Sequence, residues 1–305
     1  MKYIIICGPT CSGKTGLGVE LALRYNGEII NADSRQIFKH TTIGTAKPKP
    51  EKCRGIKHHL IDFLELDDNF SAYKFAKLAK ELIENIAARG KLPLVVGGTG
   101  LYLKALAEGL FKSPQPDYKY RKKLETISSK NGSETLYRML TEIDPLTAEK
   151  IDKQDTTRII RALEIYKLTG KPISEMQKTG EYNSVGNPLW LGLLPERKIL
   201  YNRINKRVDD MIDEGFEQEV LQLKPFLDTV RKKKMVGYTH MISYLFDNMI
   251  TRQEAIDKVK QHHRNYAKRQ ITWFRKVNGI CWFDSSLDGF TEKVINICDR
   301  YLKKA

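Results

Sequence analysis

Residues 8–15 read Gly8-Pro9-Thr10-Cys11-Ser12-Gly13-Lys14-Thr15, directly behind the apolar run Tyr3-Ile4-Ile5-Ile6-Cys7. No other segment restricts the fold as strongly. A β-branched run predicts a buried strand, and Thr15-Gly16-Leu17-Gly18-Val19-Glu20-Leu21-Ala22-Leu23 spaces its apolar residues for a helix. Strand, glycine-bearing loop and helix in that order make a phosphate cradle. Loop N–H groups and the positive helix end surround an anion, Lys14 reaches its outer oxygens, and the Thr15 hydroxyl can ligate Mg2+. The loop predicts a ligand with at least two linked phosphates. It does not say whether that ligand is a nucleotide.

The first 111 residues alternate short apolar runs with helical patterns, as a parallel sheet covered by helices does. Ile4–Cys7, Gly27–Ala32 and Leu92–Val96 are the predicted strands, and an amphipathic helix over Ala72–Arg89 leads into the third. Gly97-Gly98-Thr99-Gly100 then makes a second glycine-rich turn. Two such turns at the carboxyl ends of parallel strands frame one crevice. From Ser113 to Glu181 strand patterns vanish and helices are predicted over Tyr118–Ser128, Glu134–Asp144, Leu146–Asp152 and Thr156–Leu168, the last closed by Gly170 and Pro172. Strands return at Pro188–Leu194 and Gly279–Phe283. The predicted fold is therefore α/β, a P-loop NTPase-like parallel sheet flanked by helices with an inserted all-helical domain. Its expected boundaries are 1–112 and 185–305 for the core and 113–184 for the insertion.

Charge narrows the partners. The net charge is +15, which favours a polyanion through counterion release. The excess is concentrated late, in Arg231-Lys232-Lys233-Lys234 and between Lys258 and Lys276, where seven Lys/Arg and two His occur without an acid. No apolar stretch approaches the roughly 18 residues of a membrane span, so no membrane is expected. The chain enters its first strand without a leader, and a cytoplasmic location is expected. Five scattered cysteines predict reduced thiols. His58-His59 and His262-His263 are adjacent pairs whose rings diverge on any regular element, so no zinc site is assigned.

Asp33, in Asn31-Ala32-Asp33-Ser34-Arg35-Gln36, follows the second strand and belongs at the same sheet edge as the loop. It can orient a metal or water, accept a proton, or simply cap the next helix. No aspartate ends the Leu92–Val96 strand, which argues against an ATP-hydrolysing motor. Arg197 and Arg203 are candidates to neutralise a leaving diphosphate, and a charged surface helix is the plain alternative. An ATP-binding small-molecule kinase and a non-catalytic P-loop RNA-binding protein are the competing functions.

Seven blocks in order resemble the tRNA dimethylallyltransferase (tRNA isopentenyl transferase) family: the loop at 8–15, Ala32-Asp33-Ser34-Arg35-Gln36, Ile43-Gly44-Thr45-Ala46-Lys47-Pro48, His58-His59-Leu60-Ile61-Asp62, Gly97-Gly98-Thr99-Gly100-Leu101-Tyr102, Val236-Gly237-Tyr238 and Lys268-Arg269-Gln270-Ile271-Thr272-Trp273-Phe274-Arg275. The resemblance implies transfer of a dimethylallyl group from dimethylallyl diphosphate to N6 of the adenosine 3′ of the anticodon, with Mg2+. It implies Asp33 as general base, Gly8 to Thr15 as the diphosphate cradle with Lys14 and Thr15 (the latter near Mg2+), and Arg197 and Arg203 as neutralising groups. The implied contacts to the tRNA anticodon stem-loop are Asp33, Ser34, Arg35, Gln36, Thr99, Arg121, Thr157, Arg158, Ile159, Ile160, Arg161, Lys234, Met235, Val236, Gly237, Tyr238 and Thr239, together with the stretch 268–275. Cys11 stands where the family commonly has Ala, a position that contributes mainly backbone. The bacterial form is implied, with no C-terminal zinc finger, and a monomer is expected.

Overall fold

A computed structural model describes residues 1–111, 113–179 and 184–303. Six strands, β1 Ile4–Cys7, β2 Gly27–Asn31, β3 His58–His59, β4 Leu92–Gly97, β5 Leu189–Leu193 and β6 Ile280–Phe283, form one parallel sheet in the order β3-β2-β4-β1-β5-β6. Central β1 pairs in register with β4 (Ile5 opposite Val95) and β5 (Ile5 opposite Trp190). Every β1 side chain is fully buried, because helices cover both faces of a parallel sheet and leave no solvated side to alternate toward. The chain leaves β1 toward β2 on one side and later returns to β5 on the other. The crevice beyond the carboxyl end of β1 is therefore the place where open α/β sheets hold ligands.

Helix Lys14–Arg24 buries Leu17, Gly18, Val19, Leu21 and Ala22 against the sheet. Helix Ala72–Ala88 starts at Ser71, whose hydroxyl accepts the Lys74 N–H at 3.2 Å, and buries Phe75, Ala79, Ile83 and Ile86 along one stripe. A second apolar cluster around Phe216, Met235, Tyr238, Met241 and Val259 joins the late helices. Each fully buried large side chain contributes about 2 kcal/mol. These helices include Arg197–Asp213 and Arg252–Phe274, the latter opened by a Thr251/Glu254 capping box.

The chain divides into a unit of residues 1–107 with 185–305 and a unit of 108–184. The second is all helical over its described residues: Tyr118–Asn131, Ser133–Ile143, Pro145–Ala148, Thr156–Thr169 and Ile173–Thr179. Leu124, Leu136, Leu140, Ile159, Ile160 and Leu163 make its core. Buried Glu164 gathers the guanidinium groups of Arg121 and Arg161 and the Asp117 N–H. The expected core boundary at Lys112, and the 180–183 stretch of the expected insertion, lie outside the described residues.

Two sequence expectations need correction. Leu92–Gly97 is the fourth strand in the chain, because His58–His59 adds a two-residue strand beside β2. Two residues carry no periodicity from which a strand can be read. The third insertion helix is a single turn, Pro145–Ala148, rather than Leu146–Asp152. It starts where Asp144 accepts the Thr147 N–H and hydroxyl.

Candidate functional site

The loop after β1 leaves the N–H groups at the start of the first helix uncapped. Gly13, the N-cap of the first helix, has φ 92° and offers no side-chain cap, so the helix end faces outward. The loop is pinned from behind. Ser285 Oγ donates to the Ser12 carbonyl at 2.7 Å, and Ser12 N donates to the Pro9 carbonyl at 3.3 Å. Gln270, on helix Arg252–Phe274, accepts the Thr10 N–H at 2.8 Å and donates to the Gly98 carbonyl at 2.9 Å. One amide thus ties both glycine-rich turns together. A Cβ added at Gly98 would collide with this same amide, so Gln270 fills the room next to the end of β4.

Asp33 Oδ1 accepts the Arg35 and Gln36 N–H groups at 2.8 and 3.4 Å. No helix follows, so Asp33 closes a turn and not a helix N-terminus. Thr99 Oγ1 accepts the Ser34 N–H at 2.9 Å, which locks this turn to the second glycine-rich one.

A cavity of about 210 Å3 is lined by Thr10–Gly16, Asp33, Gln36, Thr45, Gly98, Arg207 and Gln270. A larger one of about 700 Å3 shares Cys11, Gly13, Thr15 and Arg207 and adds Arg203, Lys206, Ile43 and Met211. A third of about 40 Å3 shares Thr10, Asp33 and Thr45 and adds Arg35, His263 and Tyr266. Residues 42–47 border all three. That strap is held by Glu219, whose carboxylate accepts the N–H groups of Thr42, Ile43 and Gly44 at 2.6, 2.7 and 3.0 Å and the Tyr238 hydroxyl at 2.7 Å. Gln36 Nε2 donates to the Thr45 and Ala46 carbonyls from the other side.

Of the two predicted arginines, Arg203 lines the larger cavity and Arg197 lines none of the three. Lys14 lies over the loop and donates to the Pro9 carbonyl at 2.6 Å. The residue is partly exposed overall, yet burial of its ammonium, reinforced by nearby Arg207, lowers its pKa to about 8. Arg207 donates to Thr10 Oγ1 at 3.2 Å, and Arg203 reaches the Ser285 carbonyl at 3.5 Å. Arg197 instead lies over the Tyr201 ring, 5.1 Å from its centroid, and lines none of the three cavities. Sequence spacing could have shown this. Arg203 and Arg207 are four apart and share a helix face, whereas residues six apart do not.

The residues implied as tRNA contacts separate by burial. Thr157, Arg158, Lys234, Lys268, Arg269, Thr272 and Arg275 are exposed, while Ser34, Arg35, Gln36, Thr99, Arg121, Arg161, Val236, Thr239, Ile271 and Trp273 are partly so. Ile159, Ile160, Met235, Gly237, Tyr238 and Phe274 are buried. The side chains of Ile159, Ile160, Met235 and Tyr238 belong to apolar cores, and where such a stretch is helical its contiguous residues pass through the inner face every third or fourth position. Gln270 is also buried and serves the loop. Glu219, Tyr266 and Arg207 had no place in the sequence reading.

A family model described as IPP transferase matches residues 36–277. A tRNA dimethylallyltransferase of Anoxybacillus flavithermus is 44% identical over 304 residues, covering 99% of this chain and 96% of that protein. The Carboxydothermus hydrogenoformans protein of the same name is 45% identical over 301 residues, covering 96% of each. Among solved structures, the Bacillus halodurans tRNA isopentenylpyrophosphate transferase superposes with a TM-score of 0.68 at 41% identity, over 99% of this chain and 95% of that one. A eukaryotic dimethylallyltransferase acting on tRNA gives 0.81 at 29% identity, over 99% and 79%.

Proposed function

The chain belongs to the IPP transferase family, and from that premise we propose how its residues move a dimethylallyl group from dimethylallyl diphosphate to the N6 atom of an adenosine beside the anticodon of tRNA. The observation that carries this reading is the convergence of an open phosphate loop, Lys14, Arg207 and Asp33 on one 210 Å3 cavity. The relatives are transferases of this kind, which supports a prenyl donor over the nucleotide of a kinase.

The diphosphate sits against the N–H groups of Cys11, Gly13, Lys14 and Thr15, those of Thr10 and Ser12 being taken by Gln270 and Pro9. The allylic C–O bond breaks with its electron pair passing to the diphosphate, whose added charge meets the loop dipoles, Lys14, Arg207 and Arg203. The N6 lone pair forms the new C–N bond, and the N6 proton passes to Asp33. Asp33 Oδ1 is committed to two backbone N–H groups, so Oδ2 is the oxygen assigned to the proton. An adenine stacked inside an RNA loop cannot reach this depth and must be flipped out.

Magnesium fits the donor set. Mg2+ prefers hard oxygen and keeps several waters when phosphates supply the rest. The Thr15 hydroxyl and the Asp33 carboxylate border the same cavity, and no group of three or more His, Cys, Asp or Glu suited to a metal occurs among the described residues. Bound there, Mg2+ would supply charge neutralisation on the diphosphate.

The decisive assay incubates undermodified tRNA with the protein, Mg2+ and dimethylallyl diphosphate and follows adenosine by mass spectrometry. A gain of one prenyl mass is expected, and its absence rejects the reading. Asp33→Ala should lower turnover by at least about 10²-fold with tRNA affinity within about twofold; near-normal turnover removes Asp33 as the base.

A further inference from the structure

The adjacent histidines at 262 and 263 diverge on helix Arg252–Phe274, as a helix requires. His263 is buried beside Gly237 and lines the cavity that also holds Asp33. His262 is set about 100° round the helix from it. Its ring meets that of His240, from helix Tyr238–Leu245, edge to face with centroids 5.2 Å apart at 74°. Both rings are half buried, and the Nδ1 of His262 is turned into the protein.

The neighbours of this pair give it a direction. One helical turn beyond His262 is Tyr266, and two turns beyond is Arg269, whose guanidinium carbon lies 5.8 Å over the Tyr266 ring. Tyr266 lines the 40 Å3 cavity together with Asp33 and Arg35. A line of flat groups therefore runs outward along one helix face from the acceptor side of the active site to the imidazole pair. Lys258 and Arg269 bear on the two rings electrostatically, and no acid occurs from Lys258 to Lys276.

We propose that His240 and His262 form a stacking subsite for an unpaired nucleobase of the RNA substrate, flanking the base delivered to Asp33. The inference rests on the functional reading above. Flipping one base out of an RNA loop strips its neighbour of a stacking face, and a protein that stabilises the flipped state gains by covering that face with flat side chains. Rings suit this role whatever the sequence, and a helix stretch with no carboxylate of its own from Lys258 to Lys276 favours approach of the backbone phosphates. Burial lowers the pKa of both imidazoles, so at neutral pH the pair acts by its faces and not by charge.

The test uses the full chain and a fluorescent anticodon stem-loop RNA, read by anisotropy for binding and in parallel by prenyl transfer. His262→Ala and His240→Ala should each weaken RNA binding about tenfold and leave the KM for dimethylallyl diphosphate within twofold. His262→Phe, which keeps a flat ring, should stay within about threefold of the parent. The salt dependence of binding should be unchanged in all three, whereas Arg269→Ala should reduce its slope by about one. RNA binding by His262→Ala within twofold of the parent overturns the subsite, as does His262→Phe losing as much as His262→Ala. Failure of the functional reading has a different signature: the parent protein binds the RNA and transfers no prenyl group.

Discussion

Gly98→Ala tests whether Gln270 is what sets the phosphate loop. The added Cβ would fall so close to Gln270 Nε2 that the amide must retreat by more than about 1 Å to reach van der Waals separation. The end of a glutamine side chain can move that far at little steric cost, so the penalty lies in what the amide lets go. It loses the 2.8 Å bond from Thr10 N–H and the 2.9 Å bond to the Gly98 carbonyl. Two such bonds are worth about 1 kcal/mol each, giving about 2 kcal/mol in all. If that appears in the transition state it is a fall in kcat/KM of about 30-fold, and if it appears in the fold it is a Tm loss of about 4–8 °C. Steady-state prenyl transfer and thermal unfolding measure the two shares. The double variant Gly98→Ala/Gln270→Ala provides the control, because a short side chain at 270 leaves room for the new methyl. Once Gln270→Ala has removed both bonds, adding Gly98→Ala should cost nothing further, a coupling of about 2 kcal/mol. Additive losses in the double variant would refute the argument.

Lys14, with its pKa lowered to about 8 by burial, should regain a proton when a diphosphate binds against it. Calorimetry in buffers of different ionisation enthalpy should find almost no uptake at pH 6.5, about half a proton at pH 8 and close to one at pH 9, with affinity falling about tenfold per unit above pH 8; a flat profile refutes it. Arg207→Ala should lower kcat/KM by about 10²-fold or more, whereas Arg197→Ala should stay within about threefold; the reverse order would return Arg197 to the cradle. Buried Glu28 accepts from both ends of the Arg89 guanidinium, from Lys91 and from His59, and these bonds hold its carboxyl well below the ordinary range. Its contribution to stability is complete above about pH 4.5 and is lost as pH falls toward the folded value. Thermal melts should therefore show a steeper acid loss in the parent than in Glu28→Gln.

The parts of the molecule that were legible beforehand are those whose cause is local. β1, the phosphate loop and the helix after it follow from residues within some twenty positions of each other, and they fold where the pattern puts them. β3 was not legible, since His58 and His59 are a strand only because β2 lies beside them. Arg207 was within reach through its four-residue spacing from Arg203. Glu219 was not: a glutamate on an amphipathic helix announces nothing until the Thr42–Gly44 amides come to it from 175 or more residues away. Family motifs give buried residues such as Tyr238, Met235 and Phe274 the same standing as the exposed residues around them, and they do not separate Arg197 from Arg203.

The bond between Thr10 and Gln270 spans 260 positions. During synthesis at about 5–20 residues per second, the loop emerges about 13–50 s before the amide that completes it. A growing chain thus carries a recognisable phosphate-binding sequence well before it can shape it, and a truncated product ending short of the last long helix would keep the motif without the geometry. In this protein the first piece of the active site to be made is among the last to be finished.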